Sequence, residues 1–239
     1  MGLKTKQTRH EAAENPAGLL NRRRFLTGGV ALAGAAGLAG CATGPNGFTA
    51  RLDQLQDDLD PAFLTMYGPM PEERFEVAGI SPLRFPPTLW RREVADPTGE
   101  APGTIVVRTG ERRLYHVQSG GRAMRYACGI GREGFAWSGR ARVGRKAEWP
   151  TWTPPSAMIE RQPELEEYRY GMPPGPRNPL GARALYLYDG GRDTLYRLHG
   201  TSEVWSIGKA VSSGCVRLLQ QDIVHLYNNT PVGTRVVVV

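Results

Sequence analysis

Two side chains in the last quarter of the sequence have the types and spacing of a nucleophile and its base. His199 stands in Leu198-His199-Gly200-Thr201, and Cys215 follows in Ser212-Ser213-Gly214-Cys215-Val216-Arg217-Leu218. Cysteine attacks as the thiolate. An imidazole within hydrogen-bond reach lowers the thiol pKa and later returns a proton to the leaving group. The small residues before Cys215 leave backbone N–H groups to face a developing oxyanion. The pair points to an acyl-transferring enzyme.

Other uses of these residue types fit less well. Zinc needs four ligands at metal spacing, and the sequence has neither C-x-x-C nor H-x-x-x-H. His10 lies in an N-terminal export region, His116 reads as a structural or exposed strand residue, and His225 as a surface or satisfied helix residue. A papain-like peptidase places its cysteine before its histidine, the reverse of the order here. Gly129-Ile130-Gly131-Arg132-Glu133-Gly134 satisfies the G-x-G-x-x-G pattern, but that fingerprint needs a helix opening at the glycines. Turn and strand residues follow instead, so it reads as a glycine-rich loop. Three cysteines do not make a disulfide framework, and a Cys128–Cys215 bridge would disable the nucleophile.

The elements that must position the pair begin well downstream of the N-terminus. Residues 1–40 read as an export signal: Asn21-Arg22-Arg23-Arg24-Phe25-Leu26-Thr27 is a twin-arginine pattern, followed by a weakly apolar Gly/Ala-rich stretch too short for an ordinary membrane span. It ends in Leu38-Ala39-Gly40-Cys41, which resembles a lipobox with Cys41 as the lipidated N-terminus of a periplasmic, membrane-anchored lipoprotein. Cleavage near Ala42, leaving a soluble periplasmic protein, is the alternative. The formal charge of +7 rests on 30 Lys and Arg against 23 Asp and Glu. Without six basic residues (Lys4, Lys6, Arg9, Arg22, Arg23, Arg24) and two acidic ones (Glu11, Glu14) of the signal, 24 basic and 21 acidic residues remain. That near balance, with no aromatic-interleaved basic run, excludes a nucleic-acid partner.

Residues 41–102 read as a tether and irregular arm, with a short polar helix at 50–59 and Pro-punctuated sequence after it. From residue 103 the texture is β-rich. Strands are expected at 104–108, 113–117, 123–129, 139–146, 184–188, 194–199 and 234–239, with a turn at Thr109-Gly110-Glu111. One helix is expected at 219–228, with Leu219, Ile223, Leu226 and Tyr227 on one face. Many short strands around one or two helices predict a mainly β fold, a sandwich or partly closed barrel.

With these pieces in order, the sequence closely resembles the L,D-transpeptidase catalytic domain, the YkuD-like family. The resemblance rests on His199-Gly200-Thr201 and Ser212-x-Gly214-Cys215-Val216-Arg217-Leu218. It extends to Arg113-Leu114-Tyr115, Gly129-Ile130-Gly131, Trp149-Pro150-Thr151-Trp152-Thr153-Pro154-Pro155, Asn178-Pro179-Leu180-Gly181 and Pro231-x-Gly233-Thr234, covering about 103–239. It implies a YkuD-like fold, no cofactor, and acyl transfer on peptidoglycan stem peptides. Cys215 is then the nucleophile, His199 the proton donor and acceptor, and the Gly200 carbonyl the group orienting His199. Ser213 and Gly214 belong to the oxyanion loop, where the family often has histidine at the Ser213 position. Arg217, Ser212 and Trp152 are expected to contact substrate. Arg217 has an alternative role in fixing the Cys215 loop, and Trp149 and Trp152 an alternative role in core packing. The acceptor is a second diaminopimelate, giving a 3→3 cross-link, or an amine of an outer-membrane protein. Hydrolysis of the same thioester, as an L,D-carboxypeptidase or amidase, and a catalytically silent wall-binding lipoprotein are the rival readings.

Overall fold

The computed structural model describes residues 61–132, 137–212 and 214–239. The export signal, Cys41, the helix expected at 50–59 and Ser213 lie outside the described residues.

The strands expected from residue 103 onward form, and four further ones (at 92–95, 130–131, 210–212 and 216–219) complete the main sheet and a small one. β1 (Arg92–Ala95), β2 (Ile105–Arg108), β3 (Arg113–Gln118), β4 (Arg122–Ala127), β6 (Gly139–Glu148), β7 (Arg183–Asp189), β8 (Arg192–Thr201), β10 (Val216–Leu219) and β11 (Arg235–Val238) make a nine-stranded sheet. Its order is β1-β4-β3-β2-β11-β6-β7-β8-β10, so it is mainly β but not closed into a barrel. β5 (Ile130–Gly131) and β9 (Ala210–Ser212) pair as a separate two-stranded ribbon. Gly129 exchanges backbone hydrogen bonds with Arg217 at 2.9 and 2.8 Å, so the G-x-G run begins in extended pairing rather than at a helix start.

Each strand's composition matches its burial. The last strand lies between β2 and β6, with Val236 and Val238 in the main core and Val237 in a second cluster on the opposite face. A strand buried on both sides reads as an unbroken apolar run, which is what Val236-Val237-Val238 is. β7 and β8 join through Gly190-Gly191, both at positive φ, the conformation a two-residue hairpin needs and glycine adopts without Cβ strain. Leu185, Leu187, Leu198, Val216 and Leu218 place one face of β7, β8 and β10 in the main core. There they meet Ile223 and Leu226 of the helix at Gln220–Asn228.

The stretch read as an irregular arm is not irregular throughout. Helix α1 (Pro61–Tyr67) and two 3-10 turns lead into β1, which pairs antiparallel with β4 as an edge strand of the main sheet. Only four residues long and mostly exposed, β1 carries no alternating apolar signal. Phe63, Tyr67 and Phe85 pack with Ala127, Ile207 and Leu219, each buried ring contributing about 2 kcal/mol. Helix α2 (Ser156–Arg161) and α3 (Gln220–Asn228) complete the α-helical elements among the described residues.

Two polar clamps tie this arm to the strands and helix that follow it in the sequence. Arg183 grips Glu73 through two hydrogen bonds of 2.8 and 2.6 Å, and Trp149 Nε1 donates to the same carboxylate at 2.9 Å. In the other clamp, Arg91 Nη1 lies 3.1 Å from Oδ1 of the fully buried Asp222, and the Tyr67 hydroxyl accepts the Arg91 N–H at 2.6 Å. Burial raises the Asp222 carboxyl to about 6, against the opposing pull of Arg91. A buried charge that loses its partner is strongly destabilising. Arg91→Ala is therefore expected to lower the unfolding free energy at neutral pH by about 3 kcal/mol in urea titration. Because the folded pKa of Asp222 lies above its unfolded value near 4, its contribution is present in full below about pH 4 and is lost as the pH rises through about 6. Asp222→Asn should remove that segment of the stability profile. An unchanged profile would exclude Asp222 as its source.

Candidate active site

Parallel pairing of β8 with β10 sets the site. Leu198 lies opposite Val216, His199 opposite Arg217 and Gly200 opposite Leu218. Side chains alternate between faces, so while Leu198, Val216 and Leu218 enter the core, His199 and Arg217 point to the other side. Arg197 and Cys215, each two residues earlier, belong to that same side. There Arg197, His199, Cys215, Arg217, Trp152 and Glu203 line a groove of about 780 Å³. The motif residues are thus brought into one cavity by strand register.

His199 is buried and held at its ring. Nδ1 lies 2.8 Å from the Gly200 carbonyl oxygen. A carbonyl can only accept, so Nδ1 carries the hydrogen and Nε2 keeps the lone pair. Burial pushes the imidazole down to about 4; the Gly200 and Pro179 carbonyls oppose that shift, while Arg217 and Arg197 reinforce it. At neutral pH it is an uncharged base. Gly200 must be glycine, since a Cβ there would overlap Gln220 Oε1, which accepts the Ala182 N–H at 2.9 Å.

Cys215 is half-buried, and its sulfur lies 3.9 Å from the Leu195 carbonyl oxygen, an acceptor that calls for an S–H. Burial raises the thiol pKa, opposed by backbone hydrogen bonding at Arg197 and by the charges of Arg197 and Arg217. The sequence-based expectation of a lowered thiol pKa is reversed here. Both members of the pair rest uncharged because the same desolvation acts on each in the direction of its neutral form. Cys128, by contrast, is wholly buried in the core, and burial, opposed by the charge of Arg113, raises its thiol to about 12. Both cysteines are free thiols.

The loop before Cys215 is fastened from within. The buried Ser212 hydroxyl donates to the Cys215 carbonyl at 2.7 Å and accepts the Gly214 N–H at 3.2 Å. The hydroxyl of Ser212, a residue expected to contact substrate, is engaged within the Cys215 loop, and the Gly214 N–H donates to it. Gly214 itself sits at φ 135°, a region open to glycine. Arg217 forms an ion pair with Glu203 at the groove rim. Of the two tryptophans, Trp152 lines the groove, whereas Trp149 is buried against Phe75, Ala182 and Val224. His116 is buried in β3, and His225 Nδ1 meets the Tyr126 hydroxyl at 2.7 Å.

Residues 102–238 match the YkuD family model, the L,D-transpeptidase catalytic domain, over more than half the chain. The chain belongs to that family. It is 40% identical over 141 residues to the probable L,D-transpeptidase ErfK/SrfK of Escherichia coli (strain K12), covering 56% of this chain and 43% of that protein. The probable L,D-transpeptidase YbiS of the same strain is 41% identical over 138 residues, covering 55% and 43%. This family member thus matches less than half the length of these curated relatives. A solved Brucella melitensis structure, named a probable carnitine operon oxidoreductase, is 41% identical with a TM-score of 0.46, covering 66% of this chain and 99% of that one. An L,D-transpeptidase from Mycobacterium smegmatis is 20% identical with a TM-score of 0.41, covering 57% and 58%.

Reading the motif alone missed Arg197 and Gln220. Arg197 had a signal in the sequence, since it stands two residues before His199 on an expected strand and so on the same face. Asn178, part of the family resemblance but without a role there, is given one by the fold: its buried amide donates to the carbonyls of Pro150, Met172 and Pro173, and its oxygen accepts the Leu180 N–H.

A neutral resting thiol has a kinetic signature. The rate of Cys215 alkylation by iodoacetamide should keep rising with pH beyond the ordinary thiol range, because the reactive thiolate forms above it. Arg197→Gln should slow alkylation several-fold at pH 8 by removing a charge that favours the thiolate. A rate that plateaus below pH 7 would instead indicate a preformed thiolate–imidazolium pair.

Proposed function

We propose that this protein is a peptidoglycan L,D-transpeptidase in which Cys215 is the acyl-carrying nucleophile and His199 the proton carrier. The observation that carries this reading is the parallel β8–β10 register, which turns a buried neutral imidazole and a half-buried thiol into one groove. The groove can accommodate a peptide, and its guanidinium-rich lining suits a substrate bearing several carboxylates.

In the first half-reaction the Nε2 lone pair of His199 takes the Cys215 proton as sulfur attacks the carbonyl of the L-centre of diaminopimelate. The tetrahedral intermediate collapses to a thioester, and His199-H⁺ protonates the departing amine of D-alanine. In the second, an acceptor amine attacks the thioester, gives its proton to His199 and releases the thiol. A second diaminopimelate as acceptor yields a 3→3 cross-link, and an amine of an outer-membrane protein yields a wall anchor. The Gly200 carbonyl holds the imidazole in the tautomer this requires and stabilises its protonated form. Export by the twin-arginine signal and lipidation at Cys41 would hold the domain at a membrane facing the wall.

Muropeptide analysis of a deletion strain carrying wild type, Cys215→Ala or Cys41→Ala tests the whole reading. Wild type should yield 3→3 dimers or protein-linked muropeptides at the expense of tetrapeptides, Cys215→Ala should abolish that change, and Cys41→Ala should shift the protein out of the membrane fraction. Identical muropeptide profiles for wild type and Cys215→Ala would reject the activity. Unchanged fractionation would reject the lipid anchor.

A further inference from the structure

The groove has a second polar end, away from the cysteine. Arg145 on β6 lies opposite Tyr186 on β7, and Tyr186 opposite Arg197 on β8. With Leu198 opposite Val216, Cys215 continues that row beside Arg197. All four side chains line the groove. The Arg145 guanidinium carbon stands 3.6 Å over the Tyr186 ring, and that of Arg197 stands 4.4 Å from the same ring.

A deliberate irregularity puts Arg145 there. Val143 pairs with Leu187 and enters the core, but the register then shifts, and Arg145 rather than Gly144 pairs with Tyr186. Without the register shift at Gly144, strict alternation would give position 145 the same core-facing side as Val143. Gly144 has to be glycine, because a Cβ would overlap the Tyr188 ring. The other two arginines of this wall are already neutralised. Arg197 grips Asp193 with two hydrogen bonds of 2.6 and 2.8 Å, and Arg217 pairs with Glu203. Arg145 is exposed and forms no ion pair among the described residues, its charge reaching the Asp193 carboxylate without a salt bridge, and its planar fork is stacked over Tyr186 in a geometry suited to a bidentate partner.

We propose that Arg145 is a specificity residue that takes the distal, D-centre carboxylate of the donor's diaminopimelate side chain. This rests on the transpeptidase reading above. Leaning over Tyr186, the guanidinium is two strands from the Cys215 row, about 10 Å across the sheet. With the scissile carbonyl about 3 Å from sulfur, about 7 Å remain. Six bonds separate the L-centre carbonyl carbon from the distal carboxyl carbon, and at about 1.2 Å of advance per bond they span that interval. The carboxylate of the departing D-alanine is only three bonds from the same carbonyl, about 3.6 Å, and falls short of Arg145.

The test is calorimetric titration of full-length Cys215→Ala protein with two synthetic tetrapeptides, L-Ala-γ-D-Glu-meso-diaminopimelate-D-Ala and its analogue with the distal carboxylate converted to carboxamide. The free acid should bind about tenfold more tightly, as expected for a charge-assisted bidentate contact. Adding Arg145→Ala should weaken the free acid to the level of the amide and leave the amide unchanged, while Arg145→Lys should retain part of the preference. Arg145 is exposed, so matched thermal melts will show that these variants fold. Equal affinity for both peptides, a preference that survives Arg145→Ala, or no binding of either peptide overturns the proposal. D-alanine release by the wild-type chain from the same peptides judges the underlying transpeptidase reading separately.

Discussion

The parallel pairing of β8 with β10 is the constraint on which the site depends. One register makes His199 the neighbour of Arg217 and sets Cys215 beside Arg197, while the intervening Leu198, Val216 and Leu218 anchor both strands in the core. A one-residue slip would exchange the two sets, burying His199, Cys215 and Arg217 and exposing Leu198, Val216 and Leu218. The burial of those apolar residues therefore enforces the geometry of the chemistry. Around the pairing, Gln220 packs against Gly200, Ser212 fastens the Cys215 loop, and the Glu73–Arg183 and Arg91–Asp222 pairs lock the arm to β7 and α3.

The same burial sets the electrostatics. Desolvation favours the uncharged imidazole at His199 and the protonated thiol at Cys215. The surrounding arginines act in opposite senses on the two members, favouring the thiolate at Cys215 and disfavouring the imidazolium at His199. A guanidinium-lined groove thus lowers the cost of ionising the Cys215 thiol without charging the His199 imidazole.

Much of this was legible in the sequence where side-chain chemistry and backbone demand coincide. The Cys215 motif, the β-rich texture after residue 103, the helix at the C-terminal side and the exclusion of a dinucleotide loop all follow from local signals. Other features are set by tertiary pairing and have no local signature. β1 is four mostly exposed residues made a strand by β4, and Arg145 faces the groove only because Gly144 shifts its register. Motif position does not reveal that the Ser212 hydroxyl turns inward onto the Cys215 carbonyl and the Gly214 N–H. The thiol's raised pKa was equally hidden, since desolvation depends on neighbours distant in sequence.

The central claim, that strand register makes Cys215 the acyl-accepting nucleophile, is tested most directly by trapping the acyl-enzyme. Full-length protein incubated with a carbapenem and digested for peptide mapping should carry the adduct on the peptide containing Cys215, with none on the inert, core-buried Cys128, and Cys215→Ala should remain unmodified. An adduct on Cys128, or one that persists in Cys215→Ala, would contradict the account.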